Sequence, residues 1–483
     1  MIVVEDHSVR QSRMRLGWPD LGLLCLGAVI LAAYSSFGRP IWLDELFHFA
    51  MGGMTFEYAV KTVDYSTIEV GHGQTGVYLL LDWWLMQGFG ANSVALRLPS
   101  LIAGAVLLVA AVTFIRRKGL GYWWQALVLV VLAGHSFLMY FTGEARPYMP
   151  LVASSVAMLA YYAYPRADRK AVAPRVLAVF GFLIGSTFQP FWIYMVVFIL
   201  AFSVWAAWVS GDLDLKWREI LVFTSPGFLL SGMALFLVVG ELTWMRRILY
   251  LNFEPWVHIG GSFSEAARYF LADHFSGGGI SVLWASGISV LTLVVLGVTR
   301  FNGARLLLPA FVLLLVAVLT SLAASGIALW RTYWVLERQW VAGIAIACIA
   351  SVWFFGELYS LARRNQTPII LIPVGLFVIL SLVTMAVTMR AEAEKLLVGY
   401  PAARAAIIDD GRPPPELGIG QYGGMDGVEA ANLNIARGGP VWIEFIDWYN
   451  REAGMRAEFR DTNPSWTKYI WPNVAEHEPP RTH

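Results

Sequence analysis

Three short segments of the 483-residue chain gather the side chains best suited to chemistry. The first is Pro40-Ile-Trp-Leu-Asp44-Glu45, two adjacent carboxylates after an apolar run. The second begins at Glu69-Val-Gly-His72 and continues through a short apolar stretch to Ala95-Leu-Arg97-Leu-Pro99-Ser100. The third is Gly143-Glu144-Ala-Arg146-Pro147-Tyr148. Carboxylates act as general bases or as hard oxygen ligands to Mg²⁺ or Mn²⁺, and a guanidinium suits phosphate because its donors fork. Each group also has a plain structural use. Asp44 can cap a helix starting at Glu45, and Glu144-Ala-Arg146-Pro147 can open a helix with proline in its first turn. His72 can be a solvated loop histidine, and Arg331 and Arg338 can be anchors that snorkel at a membrane boundary.

The elements that must hold these residues are membrane spans. The chain is 57% hydrophobic and only 14% charged, against roughly 25% charged residues in a soluble domain. Runs of about 20 apolar residues, the length needed to cross a bilayer, recur to residue 389. The expected fold is an all-α polytopic membrane protein with eleven spans: 21–38, 98–115, 122–142, 148–164, 174–188, 190–209, 220–240, 280–299, 306–327, 340–362 and 368–389. The fifth and sixth meet at Gln189-Pro190, so one helix of 174–209 kinked at proline is the alternative there. With eleven spans and the N-terminus inside, Arg10, Arg13, Arg15, Arg116, Arg117, Lys118, Arg166, Arg169, Lys170, Arg175, Lys216, Arg218, Arg300, Arg305, Arg363 and Arg364 share the cytoplasmic side. That is the positive-inside asymmetry. The basic N-terminus and first apolar run read as a membrane anchor rather than a signal peptide, for want of a small-x-small cleavage site.

Residues 1–389 form the membrane domain in this reading, with outer loops 39–97 and 241–279, and 390–483 form a small outer α/β domain. Within the first loop, residues 76–89 are too short to span yet carry Tyr78, Trp83 and Trp84, so they predict a helix lying in the interface. Polar chemistry concentrates at the outer boundary, in Asp44, Glu45, Glu69, His72, Glu144, Arg146, Glu241, Arg246, Arg247, Arg331 and Arg338. Charged side chains are almost absent inside the spans, His135 and Glu357 being the exceptions away from the span ends. A transporter usually carries several such groups near mid-membrane, so this distribution favours an interfacial site over a conduit. Lys+Arg 35 against Asp+Glu 34 leaves a formal charge of +1, giving no basic surplus for nucleic acid. Cys25 and Cys348 both fall in apolar runs, which suggests neither a disulfide framework nor a zinc site.

Taken together, in this order and spacing, the three segments resemble the GT-C superfamily of membrane glycosyltransferases. The resemblance is to the branch of protein O-mannosyltransferases and the lipid A aminoarabinose transferase, and it covers roughly residues 35–165. His72 departs from the pattern: many relatives follow this position with two prolines, whereas Gly73-Gln74 follow here. The resemblance implies a polyprenyl-phosphate-linked sugar donor, a lipid or envelope-glycan acceptor and transfer with inversion at the outer face of the membrane. Asp44 then corresponds to the base, with Glu45 orienting it or the acceptor, and Glu144 to a second acidic position that binds hydroxyls. His72, Arg146 and Arg338 correspond to the donor-phosphate side. Asp44, Glu45 and Glu144 can also ligate a divalent ion, but the expectation is no cofactor. The other classes open to this sequence are a flippase of lipid-linked substrates and a non-catalytic envelope-assembly subunit. The sole N-x-S/T triplet, Asn365-Gln-Thr, falls in an inner loop, so the expected location is a bacterial cytoplasmic membrane with the site and C-terminus facing the periplasm.

Overall fold

The protein is described from a computed structural model, which covers residues 76–90, 93–189, 191–237, 304–330 and 337–399, with residues 45, 48, 56, 264, 287 and 292 as isolated positions. Asp44, His72, the spans expected at 21–38 and 280–299, and residues 400–483 of the domain expected at 390–483 lie outside the described residues, while residues 390–399 continue in helix from the last span.

The described chain is helical throughout. α1 (Gly76–Phe89) is the short helix expected in the interface, and α2 (Ser93–Arg117) is a full-length span. Gly119, in the left-handed region at φ 77°, allows the tight reversal into α3 (Tyr122–Ala133). After α4 (Ser136–Thr142) and α5 (Tyr148–Tyr162), α6 (Val172–Ala178) runs through a π-helical turn (Val179–Ile184) into α7 (Gly185–Phe188). α8 (Trp192–Val209), α9 (Trp217–Leu237), α10 (Leu308–Trp330), α11 (Val341–Arg364) and α12 (Leu371–Glu394) follow. Six helices are long and apolar enough to cross a membrane, or seven if the bent pair α3 and α4 is one span. This is the architecture of a multi-pass membrane protein.

Two details refine the expected spans. The run 122–142 is not one helix: α3 and α4 bend by 74° at Gly134-His135, where His135 is extended. A Cβ on Gly134 would lie 2.9 Å from the Met385 backbone, so α12 approaches closely at the break. At the second point, Gln189 is extended at φ −143° and separates α7 from α8. Trp192 Nε1 donates to the Gly181 carbonyl at 2.8 Å. Eleven residues of continuous helix would set these positions about 16 Å apart along the axis, so the chain folds back here into two separate helices.

The packing aligns the helices between two ends. α11 is the axis, with every residue from Val341 to Gly356 buried, and α10 crosses it where Gly343 meets Ala317 and Ser321. α9 lies at the periphery with Phe228, Leu229, Phe236 and Leu237 exposed, as a lipid-facing stripe requires. At one end Arg117 pairs with Asp168, Arg166 with Glu219 and Arg169 with Asp212, while Lys118 lies over the Trp353 ring. These belong to the segments expected on the cytoplasmic side. The opposite end holds Glu45, Arg97, Glu144, Arg146 and Arg338.

Candidate functional site

Sequence-distant groups at this second end converge on the segment joining α4 to α5. Glu45 and Arg97 are fully buried and form a two-pronged ion pair: Arg97 Nε donates to Glu45 Oε1 at 3.0 Å and an Nη donates to Oε2 at 2.8 Å. The backbone N–H of Ala145 donates to the same Oε1 at 2.7 Å. A buried carboxylate is tolerable when it is charge-paired and hydrogen-bonded on both oxygens, and Glu45 meets that condition. The pair thereby ties Glu45, a helical residue of the first loop, to α2 and to the Glu144–Arg146 segment.

A second buried pair lies one helical turn further on. His48 Nδ1 and Asp82 Oδ2 are 2.5 Å apart, both side chains inaccessible to solvent. Asp82 is the sole carboxylate of α1, on the helix face that also buries Tyr78, Leu79, Leu85 and Met86. Burial, and then the charge of Glu45, hold its carboxyl well above the usual carboxylate range. Its other oxygen, Oδ1, has no hydrogen-bond partner among the described residues.

α1 reaches the same segment by another route. Tyr78 OH lies 3.1 Å from Ser100 Oγ, which donates to the Glu144 carbonyl at 2.5 Å and lies 3.2 Å from that of Arg146. Ser100 has one proton, directed at these carbonyls, so Tyr78 is the donor to Ser100. Burial, and then the charge of Asp82, raise the Tyr78 hydroxyl well above its ordinary value, consistent with a group that stays protonated. The Arg146 N–H in turn donates to the Glu144 carbonyl at 2.8 Å, closing the tight turn ahead of α5.

The cationic side of the site surrounds Tyr148. Arg146, buried, places its guanidinium carbon 5.8 Å from the Tyr148 ring centre, and the half-buried Arg338 places its own at 5.5 Å. Arg338 rides on a single 3-10 turn (Glu337–Gln339) just before α11, where Tyr194 OH donates to the Gln339 carbonyl at 3.1 Å. α5 and α11 both start here, so the partial positive charge of two helix N-termini adds to that of two guanidiniums.

Of the residues singled out in the sequence, Glu45, Glu144, Arg146 and Arg338 are thus brought to one end of the bundle. Asp44 and His72 lie outside the described residues. His48 and Asp82 were not picked out by sequence reasoning, and Arg97 and Ser100 appeared in a motif without a role. A signal existed for Asp82, a lone charge in an otherwise apolar stretch. Among the described residues no group of three His, Cys, Asp or Glu side chains is arranged to hold a metal ion.

No family model matches the sequence, and neither does any curated protein. Among solved structures, the chain is similar to the Archaeoglobus fulgidus oligosaccharyltransferase in its apo form, with a TM-score of 0.48 and 10% identity over 78% of this chain and 56% of that one. It is also similar to ArnT from Cupriavidus metallidurans bound to undecaprenyl phosphate, with a TM-score of 0.44 and 14% identity over 82% of this chain and 80% of that one. A third is the archaeal oligosaccharyltransferase AglB, again from Archaeoglobus fulgidus, in complex with an inhibitory peptide and a dolichol-phosphate. Here the TM-score is 0.44 and the identity 10%, over 82% of this chain and 58% of that one. The chain spans little more than half the length of the two oligosaccharyltransferase chains.

Proposed function

We propose that this protein is an inverting glycosyltransferase that moves a sugar from a polyprenyl-phosphate donor to a lipid or envelope-glycan acceptor at the outer face of a bacterial cytoplasmic membrane. The observation that carries this reading is the Glu45 lock. A carboxylate fixed by Arg97 and the Ala145 N–H sits beside Asp44 in sequence, at the end of the bundle where Arg146 and Arg338 flank Tyr148.

The chemistry needs few groups. Asp44 takes the proton of the acceptor hydroxyl or amine as the oxygen or nitrogen attacks the anomeric carbon. The bond from that carbon to the phosphate oxygen breaks on the opposite face, and the phosphate departs with the electron pair. It leaves as an anion and needs no acid, so cationic stabilisation by Arg146, Arg338 and the two helix N-termini suffices. Attack opposite the leaving group inverts the anomeric configuration, as a base-assisted single displacement must. Glu45 holds Asp44 in place rather than taking the proton, because both of its oxygens are engaged. Glu144 serves the acceptor or donor hydroxyls, and His72 the phosphate side.

The direct test is transfer from a purified polyprenyl-phosphate-linked sugar by the full chain in proteoliposomes. Asp44→Asn should abolish transfer while leaving expression and stability in detergent intact. Substantial remaining turnover would place the base elsewhere.

A further inference from the structure

The His48–Asp82 pair is unused by the chemistry above, yet it is buried as completely as the Glu45–Arg97 pair and adjoins it. Removing a carboxylate and an imidazole from water is costly, and an apolar pair would fill the same space at no such cost. α1 is otherwise apolar along its inner face, so the fold does not need a charge there to bury that helix. What the pair does supply is a directional bond, 2.5 Å long, between α1 and the first-loop turn. Glu45 and His48 are both helical and stand three residues apart, so the two side chains lie on one face of a single turn. One is held by α2 and the Ala145 N–H, the other by α1. A helical turn held at a single point can still rotate about that point. Held at two, it has a fixed azimuth.

We propose that His48 and Asp82 are positioning residues for the base: a second buried pair that sets the rotation of the turn following Asp44, without touching substrate. The inference rests on the reading of Asp44 as the base. Among the described residues, Glu45 adds its charge beside the pair and Tyr78 on α1 stands with its ring edge-on to the His48 ring, centroids 5.6 Å apart.

The test compares kcat and the KM for donor in proteoliposomes supplied with a polyprenyl-phosphate-linked sugar. The double variant His48→Leu/Asp82→Leu removes both polar groups together and leaves neither unpaired, so it should fold with wild-type stability in detergent. Its kcat should fall on the order of 10- to 100-fold, the cost of misplacing a catalytic group by about an ångström, with the donor KM unchanged. His48→Asn keeps an N–H near the position of Nδ1 and should recover most of the loss. Wild-type kcat in a folded double variant would overturn the proposal, as would a defect confined to donor KM. If the double variant does not fold, His48→Asn and His48→Gln decide: the Asn form, which mimics Nδ1, should exceed the Gln form in kcat, and equal activity would overturn the proposal. An inactive wild-type protein would instead overturn the glycosyltransferase reading itself.

Discussion

At the scale of single residues, the Glu45–Arg97 pair makes the sharpest statement about stability. Its two oxygens accept three hydrogen bonds in a site closed to water. Arg97→Ala strips both guanidinium bonds from a buried carboxylate, and removing one partner of such a pair costs about 3–5 kcal/mol. The variant should therefore lower the melting temperature in detergent markedly, whereas replacing an exposed arginine such as Arg364 should not; equal melting curves would contradict the geometry. Legibility in the sequence follows from the same bonds. Glu45, Glu144, Arg146 and Arg338 stand out because acids and guanidiniums at the edges of apolar runs are conspicuous. The partners of the pairs do not: Arg97 is 52 residues from Glu45 and Asp82 is 34 from His48. Nothing in linear spacing joins them. A lone carboxylate in α1 was visible, but its meaning depended on a histidine that only the folded chain brings within reach.

At the scale of elements, hydropathy locates the helices well and their interruptions poorly. α2, α8, α9, α10, α11 and α12 fall close to the spans expected, since a long apolar run in a bilayer has to satisfy its backbone internally and does so as helix. The break at Gly134-His135 leaves no comparable mark, because an apolar run stays apolar whether or not its hydrogen-bond ladder is continuous. Close helix crossings depend on small residues, and Gly343 is the tightest of them. A Cβ there would collide with Ser321 Oγ and lie 2.7 Å from the Ala317 carbonyl oxygen, a backbone atom that cannot swing aside. Gly343→Ala should force α10 and α11 apart at a cost of about 1–3 kcal/mol, typical of overpacking. Thermal unfolding in detergent checks this. Gly375→Ala, where the added methyl meets open space, is the matched control.

At the scale of the whole molecule, the two ends differ in kind. One collects the basic loops, paired with Asp168, Asp212 and Glu219; the other collects the site. In the orientation proposed above, which follows the positive-inside tendency, the basic end faces the cytoplasm and α12, which starts beside the end of α11 at Arg363-Arg364, runs outward. A reporter fused after residue 395 should accordingly register the outer compartment, and a cytoplasmic signal would reverse the assignment of both ends.

α1 gives this arrangement a further property. It exposes Trp84 on the side away from Asp82 and Phe89 at its end, and reaches His48 through Asp82 and the Glu144 carbonyl through Tyr78 and Ser100. With α1 placed among lipid headgroups, as its sequence leads one to expect, that helix is geared mechanically to Glu45 and Glu144. Acyl-chain length should then act as a control knob: turnover in vesicles of graded bilayer thickness should pass through an optimum, and Tyr78→Phe should flatten that curve.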